Sequence, residues 1–281
     1  MHKALKRYSP IFVLPTLLAF IIGFIVPFAQ GLYLSFCKFT TVDNAKWVGV
    51  ANYNVILKDA SFLNSFKFTI LFAVVSIILI NVIAFGLALL LTKELRGTNI
   101  FRTVFFMPNL IGGIVLGYVW QLLLNGILAH FQKTLTYSSK YGFWGLVILM
   151  LWQQVGYMMI IYIAGLQSIP EDMLEAARID GASEAKTFID IVLPMVKPGI
   201  GALAIFTFIN SWNDYFMQLI MLSSTSNLTI SLGIAKLQAE NSTDFGLIMA
   251  GAALAAVPII IIFLIFQKYF TKGIAMGAVK G

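Results

Sequence analysis

Long apolar segments dominate this 281-residue chain, and they constrain its fold more than any other feature of the sequence. About 20 consecutive apolar residues are enough for a helix to cross the hydrocarbon core of a bilayer. A helix satisfies its own backbone hydrogen bonds, for which lipid offers no partners. We therefore predict an all-α polytopic membrane protein, a single transmembrane domain over residues 1–281, with six transmembrane helices at approximately 11–36, 68–91, 104–125, 143–166, 201–222 and 246–266.

The composition agrees with a membrane protein and argues against several other classes. Charged residues make up 11% of the chain, against roughly 25% in soluble domains. The net charge of +7 does not indicate a nucleic-acid-binding protein, because the basic residues stand at the ends of apolar segments and form no single patch. Cys37 is the only cysteine, so no intrachain disulfide can form. His2 and His130 are the only histidines, and the sequence offers no metal cluster.

The N-terminus combines basic residues with an apolar segment, a pattern that secretory signal peptides share. Lys3, Lys6 and Arg7 precede an uncharged stretch that continues from Tyr8 to Cys37. A signal peptide has an apolar region of only about 7–15 residues. We therefore expect a retained first transmembrane helix rather than a cleaved signal.

Lysine and arginine are divided unequally between the two sets of connecting segments. With the N-terminus inside, twelve of the 19 basic residues lie on the cytoplasmic side and seven on the other side. Cytoplasmic loops of membrane proteins carry an excess of such residues. We predict cytoplasmic N- and C-termini, an outer loop at 37–67 that forms a small cap, and a cytoplasmic loop at 167–200.

The loop 167–200 concentrates acidic residues in a chain that otherwise avoids charge. Six of the twelve acidic side chains lie between Glu171 and Asp190. A membrane protein with this much charge in one loop presents that loop to water or to a soluble partner. The alternative is an amphipathic helix on the lipid surface, but such helices are usually basic. The sequence therefore favours a docking surface.

The spacing within this loop predicts a hairpin of two short helices. Ser168 and Glu171 fit a capping box at the start of the first helix, and Gly181 suits the left-handed turn that ends it. A second helix is expected over about 183–192, ending before Pro194. Three apolar residues are expected to anchor the first helix, namely Leu174, Ala177 and Ile179.

Polar side chains inside the predicted transmembrane helices form two groups. Such residues usually face the bundle interior or a water-filled cavity. The spacing in the fifth helix places on one face Thr207, Asn210, Asn213, Asp214 and Gln218. In the fourth helix, Gln153 and Tyr157 are four residues apart with Gln154 alongside. Amides and aromatic rings suit a sugar ligand, but amides also hold helices together by hydrogen bonds, and both roles are open for each residue.

Several motifs resemble one family of membrane proteins. The loop contains in order Gln167-Ser168-Ile169-Pro170, Glu175-Ala176-Ala177, Asp180-Gly181-Ala182 and Leu193-Pro194. This string resembles the signature loop in the permease subunits of maltose-type ATP-binding-cassette (ABC) importers. Segments that resemble the first permease subunit of these importers are Trp47–Tyr53, Phe101-Arg102, Met107-Pro108 and Trp120. Segments that are similar to the second subunit are Ser211–Asp214, Gln267–Phe270 and Gly277–Gly281.

The resemblance implies a permease subunit of a carbohydrate importer in a bacterial or archaeal cell membrane. It implies contacts with a separate ATPase at Glu175, Ala176, Ala177, Asp180 and Gly181. It implies a sugar path along Gln153, Gln154, Tyr157, Asn210, Asn213 and Asp214. The implied partners are a second, different permease subunit, two ATPase subunits, an extracytoplasmic solute-binding protein and the sugar, and no nucleic acid.

The residues support other functions less well than a carbohydrate importer. No Gly-x-x-x-x-Gly-Lys-[Ser/Thr] loop occurs, so we expect no enzyme activity and no cofactor in this chain, with ATP and Mg bound by the partner ATPase. Within the same family, import of glycerol phosphate or another polar metabolite is the alternative. A secondary transporter would need ion-coupling charges in several helices, and Asp214 alone is available.

Overall fold

Helices account for almost all of the structure, a computed structural model that describes residues 2–93, 97–222, 228–241 and 243–278, with side chains from 11 to 267 within these ranges. The α-helices are α1 (His2–Phe20), α2 (Val26–Leu34), α3 (Ala51–Ile56), α4 (Ala60–Thr92), α5 (Thr98–Phe106), α6 (Gly113–Ala129), α7 (Ser139–Gln167), α8 (Glu171–Ile179), α9 (Glu184–Thr187), α10 (Leu193–Asn213), α11 (Phe216–Met221), α12 (Ile230–Glu240) and α13 (Phe245–Ala278). Two π-helical turns occupy Ile21–Ile25 and Phe188–Val192, and 3-10 turns occupy Val42–Asn44 and Met107–Leu110. Two short strands, β1 (Cys37–Lys38) and β2 (Lys46–Trp47), complete the described elements.

Five or six helical segments of the described residues could cross a membrane, in the order that the sequence predicted. Five helical segments of the described residues are long and apolar enough to cross a bilayer, namely Ile11–Leu34, Ala60–Thr92, Ser139–Gln167, Glu184–Asn213 and Phe245–Gln267. A bent pair, Thr98–Leu110 and Gly113–Ala129, gives a sixth span if the two helices are counted as one broken span. The all-α polytopic membrane fold is therefore confirmed.

The third span, predicted over 104–125, is a pair of helices separated by a sharp break and not one continuous helix. Its two halves meet at an angle of 102°. Pro108 lies in the 3-10 turn at the break, and Gly112 starts α6 with an extended backbone. Proline has no N–H for the helical ladder and its ring crowds the preceding turn, so the helix stops here and restarts in a new direction.

The fifth span was predicted over 201–222, and its true limits are different. The helical segment begins in the loop at Glu184 and ends at Asn213, where Asp214 takes up an extended backbone conformation. The predicted helix end before Pro194 is also wrong. The π-helical turn runs directly into α10, and Pro194 stands in the first turn of α10, where a missing N–H costs little.

The helices are grouped in two compact units, residues 1–63 with 233–257 and residues 64–232 with 258–281. In the first unit, β1 and β2 pair antiparallel with Cys37 opposite Trp47. The side-chain amide of Asn52 donates hydrogen bonds to the carbonyls of Ser35 and Cys37, both at 2.9 Å. Residues 35–56 thus form a small ordered cap within the predicted outer loop.

The core of the second unit is built around α7. In the most apolar window of this helix, 61% of the residues are buried, compared with 33% for α4. Leu146, Leu149 and Met158 of α7 are fully buried, as are Phe72 and Ile80 of α4. Because α7 is the most enclosed helix, polar residues on it are well placed to face the interior of the bundle.

Candidate functional site

The first loop helix, α8, does not begin as the sequence predicted. Pro170 is its N-cap residue and makes no side-chain cap, so the predicted capping box of Ser168 and Glu171 is wrong. The hydroxyl of Ser168 instead donates to the Gly165 carbonyl at 2.7 Å. Ser168 therefore closes the end of α7 and leaves the start of α8 to a proline, which needs no partner for a backbone N–H.

The turn between the two loop helices has the geometry that the sequence predicted. Gly181 has φ +75°, a left-handed conformation that glycine adopts without steric cost. The Ala182 N–H donates to the Ala177 carbonyl at 2.9 Å, and the Gly181 N–H donates to the Arg178 carbonyl at 3.0 Å. These two bonds define a Schellman motif, which fixes the direction in which the chain leaves α8.

The second arm of the hairpin begins with a side-chain cap. The hydroxyl of Ser183 accepts a hydrogen bond from the Lys186 N–H at 3.3 Å, as expected for an N-cap serine. In the π-helical turn that follows, the Phe188 ring lies 6.1 Å from the Phe85 ring of α4. The hairpin is thereby attached both to α10, with which it is continuous, and to α4.

The surface of α8 carries an exposed patch of mixed character. Glu175 and Ala176 are exposed, while Ala177 is buried. Ile179 is 80% exposed, so the expectation that it anchors the helix is wrong. The 3.6-residue spacing identified an apolar stripe on α8 but did not show which of its residues stay exposed. An isoleucine this exposed is available to a partner.

Two shallow grooves flank α8. The first, of about 440 Å³, lies towards the second arm and is lined in part by Ala176, Asp180 and Gly181. The second, of about 480 Å³, is lined by Glu171, Leu174, Glu175, Arg178 and Ile179. The five residues that the sequence assigned to ATPase contact, Glu175, Ala176, Ala177, Asp180 and Gly181, therefore all line one of the two grooves.

A polar pair joins α7 to α10 in the second unit. The Asn210 amide donates to Oε1 of Gln154 at 3.4 Å, and Gln154 is buried. One turn along the same helix, the Tyr157 ring lies 5.6 Å from the Phe206 ring. Two amides and two aromatic rings on neighbouring helices can offer hydrogen bonds and a stacking surface to a polar ligand with an apolar face.

The remaining predicted path residues are placed differently. Gln153 is half-buried beside the pair. Asn213 is exposed and donates to the Ile209 carbonyl of its own helix at 3.1 Å. A carboxylate oxygen of Asp214 accepts from the Met217 N–H in the first turn of α11 at 3.4 Å.

The polar face that the sequence predicted for the fifth span is interrupted. Gln218 belongs to α11, beyond the break, and does not continue the face of α10. It is fully buried and donates to the Ser211 carbonyl at 3.1 Å. Thr207 is also fully buried, with its hydroxyl donating to the Leu203 carbonyl at 2.9 Å. Periodicity alone placed these residues together because it assumed an unbroken helix.

Two further residues at the polar pair were not found from the sequence. Phe206 was overlooked because a phenylalanine in a transmembrane helix is unremarkable by type. Gly156 was overlooked too, although it precedes Tyr157. A Cβ at Gly156 would collide with the backbone of Phe105 and Phe106, so the end of α5 packs directly against α7 there. The glycine beside Tyr157, a predicted site residue, was the signal in the sequence for a close helix contact at this position.

Amides outside the pair act as links between helices, among them those of Asn81 and Gln121. The Tyr162 hydroxyl donates to Asn81 Oδ1 at 2.6 Å, joining α7 to α4. The Gln121 amide donates to the Ile220 carbonyl at 2.7 Å, joining α6 to α11.

Comparison with known proteins identifies the family. The chain belongs to the binding-protein-dependent transport system inner membrane components, whose family match covers residues 84–276, more than half of the chain. A probable starch degradation products transport system permease protein, AmyD of Thermoanaerobacterium thermosulfurigenes, is 33% identical over 271 residues, which cover 93% of each chain. The sn-glycerol-3-phosphate transport system permease protein UgpA of Agrobacterium fabrum is 31% identical over 222 residues, 73% of each chain.

Solved structures support the same fold. A chain in the crystal structure of a bacterial alginate ABC transporter, in complex with an alginate pentasaccharide-bound periplasmic protein, matches with a TM-score of 0.73 and 19% identity over 95% of both chains. Family and fold together make this chain the transmembrane subunit of an ABC importer.

Proposed function

We propose that this subunit carries a neutral carbohydrate along the face where α7 meets α10. The observation that carries the proposal is the Gln154–Asn210 amide pair, with the rings of Tyr157 and Phe206 one turn away. Sugar hydroxyls both donate and accept, as amides do, and an aromatic ring can cover the apolar face of a pyranose. The relative AmyD, a probable permease for starch degradation products, agrees with such a substrate.

The charge distribution along the two helices favours a neutral substrate over a phosphate. No charged residue occurs in 141–167 of α7 or in 198–213 of α10. A glycerol phosphate at this position would have to give up its water without a cation to replace it, and burying an unpaired charge is costly. The relationship to UgpA alone therefore does not outweigh the chemistry of these helices.

The proposal includes the partners that drive transport. The hairpin in the loop 167–200 would dock on an ATPase in the cytoplasm, with the exposed Ile179 covered by the partner and Glu175 facing a basic group on it. ATP and Mg would be bound there, and not by this chain. A second permease subunit would complete the path, and an extracytoplasmic solute-binding protein would deliver the sugar.

Substitution of the amide pair tests the proposed path. Asn210→Ala removes the donor and is expected to change the preference among sugars, by about 2- to 12-fold for a lost bond of about 0.5–1.5 kcal/mol. Gln121→Ala is the matched control, because its amide also joins two helices but lies outside the pair. Complex yield is measured together with uptake of two oligosaccharides of different sugars and of glycerol 3-phosphate.

The outcomes separate a ligand site from a structural link. A changed sugar preference in Asn210→Ala, with unchanged preference in Gln121→Ala, supports the path. Reduced yield with unchanged preference in both variants would show that Asn210 only holds helices together. Faster uptake of glycerol 3-phosphate than of either sugar by the unmodified complex would overturn the assignment to neutral carbohydrate.

A further inference from the structure

A groove lies on the second unit between α6 and α7, and it contains neither member of the Gln154–Asn210 pair. Its volume is about 590 Å³. Leu124 and Leu128 of α6 and Ile148 of α7 form apolar walls, while Tyr137 and Lys140 stand at its polar end. Large apolar side chains along it are exposed, among them Ile148 at 42%. The groove is therefore open at the surface of this chain.

The polar end of the groove is basic and has no acidic counterpart nearby in the chain. No aspartate or glutamate occurs in 95–170. Among the described side chains, the one ion pair is Lys236–Glu240. Neither Lys133 nor Lys140 therefore has a carboxylate partner among these residues. An anion at this end of the groove would meet Lys140, which lines it, and Lys133, which contacts two of its tyrosines.

Lys133 is held at the edge of this end by two tyrosines. Its ammonium group donates to the Tyr141 hydroxyl at 2.9 Å and lies 5.7 Å and 5.4 Å from the ring centroids of Tyr137 and Tyr141. The hydrogen bond with Tyr141 raises the pKa of Lys133 above its ordinary value. The ammonium group thus stays charged at neutral pH and is kept in place by contacts that leave its other N–H donors available.

The position of the groove along the helices matches one leaflet of a bilayer. The span of α6 ends at Ala129 and that of α7 begins at Ser139, so the loop with Lys133 lies at the membrane–water interface. From Lys140 to Ile148 a helix rises about 12 Å, close to half of the roughly 30 Å hydrocarbon core. Tyrosine and tryptophan at the open end, Tyr137 and Trp144, are typical of this interface.

The apolar part of the groove depends on a glycine. A Cβ at Gly145 would come within 2.7 Å of a Leu135 methyl group and 3.4 Å of a Leu124 methyl group. A methyl group of Met221 in α11 would lie 3.3 Å from the same Cβ. A larger side chain at Gly145 must therefore displace these neighbours or enter the groove, which Gly145, Leu124 and Leu135 all line.

We propose that this groove is a binding site for one anionic phospholipid, with an acyl chain along Leu128 and Ile148 and the phosphate between Lys133 and Lys140. The apolar length suits a hydrocarbon chain in one leaflet, and the cationic end lies where a headgroup phosphate would be. The site is independent of the proposed substrate path, because it shares no residue with it.

Photo-crosslinking in vesicles tests the site on the assembled importer. A photoreactive phosphatidylglycerol is added as a minor component to phosphatidylcholine vesicles, and the labelled peptides are mapped. We expect labelling within 124–148, reduced about 10- to 30-fold in Lys133→Gln/Lys140→Gln. Lys38→Gln/Lys46→Gln is the matched control, because it removes the same charge from exposed lysines of the cap and should leave the labelling unchanged.

Further arms separate the lipid from other occupants. Gly145→Leu should abolish labelling by filling the groove, and excess inorganic phosphate should not compete, because it has no acyl chain. Equal labelling by photoreactive phosphatidylcholine, or an unchanged signal in Lys133→Gln/Lys140→Gln, would overturn the proposal. So would displacement by phosphate. Crosslinks from 124–148 to the second permease subunit, with no lipid label, would show that the groove is a protein interface instead.

Discussion

Replacement of Gly181 is the most direct way to test whether the hairpin must keep its shape. Gly181 has φ +75°, and a Cβ built on it meets no atom within 4 Å. Substitution therefore adds no steric clash with the rest of the protein. Any effect of Gly181→Ala or Gly181→Val therefore comes from the backbone conformation alone and not from a steric clash.

The size of the effect follows from the cost of the left-handed conformation. An L-residue in this region costs roughly 1–2 kcal/mol relative to glycine, which lowers the ratio of formed to unformed turn by about 5- to 30-fold. Valine should cost more than alanine, because a β-branched side chain is disfavoured still further at positive φ. Asparagine visits this region more readily, so Gly181→Asn should fall between alanine and the unmodified protein.

The control is Gly199→Ala, inside α10. A Cβ at Gly199 also meets nothing within 4 Å, and its φ is not positive. Alanine is the better helix former, so this variant should retain full activity. The assay compares membrane abundance, co-purified ATPase and sugar-stimulated ATP hydrolysis. Membrane abundance should be equal in all variants, while hydrolysis declines in the order glycine, asparagine, alanine, valine. Full activity of Gly181→Val would refute the requirement for the Schellman turn.

Two shorter predictions concern the surface of the hairpin and the orientation of the chain. Glu175→Lys should abolish uptake without reducing membrane insertion, because it places a cation against the proposed basic surface of the ATPase, whereas Glu184→Lys, also exposed, should retain most uptake; equal loss in both would argue against a specific role. Cys37 is fully buried, so a membrane-impermeant maleimide should not react with it, whereas Lys38→Cys at an exposed position should be labelled in intact cells. Labelling of Lys38→Cys only after lysis would contradict the prediction that the loop 37–67 lies on the outer side of the membrane.

The number and order of the transmembrane helices were predictable, because the length of an apolar segment is a local property. Their breaks were less so. Next to the 102° change of direction, the end of α5 packs against Gly156 of α7, a contact between distant parts of the chain that no local pattern reveals. In the fifth span the apolar sequence continues past Asp214 into α11, so hydropathy gave no sign that the helix ends at Asn213.

At the candidate site, turn chemistry was predictable and side-chain exposure was not. Gly181 predicted the left-handed turn, because few other residues tolerate a positive φ. For α8, 3.6-residue spacing identified an apolar stripe but could not tell which edge of it is covered, and Ile179 proved to be at the open edge. In α7 and α10, spacing selected polar faces, yet the Gln154–Asn210 contact depends on how two helices pack.

The continuity of the hairpin with both helices of the polar pair suggests how the loop and the path are connected. α7 enters the loop at Gln167, and the segment that leaves it runs unbroken from Glu184 to Asn213. At about 1.5 Å per residue, Gln154 lies roughly 20 Å from the loop end of α7, and Asn210 roughly 39 Å from Glu184. A force on the hairpin therefore acts on the ends of the two helices whose side chains meet at the pair. If the two helices tilted by the same angle, each about its own loop end, Asn210 would move about twice as far as Gln154, and the amides, now 3.4 Å apart, would separate. Under the proposed function, this is how movement of an ATPase would open the sugar path, and the π-helical turn at Phe188–Val192 is the point in the longer arm where the helical hydrogen-bond pattern can change.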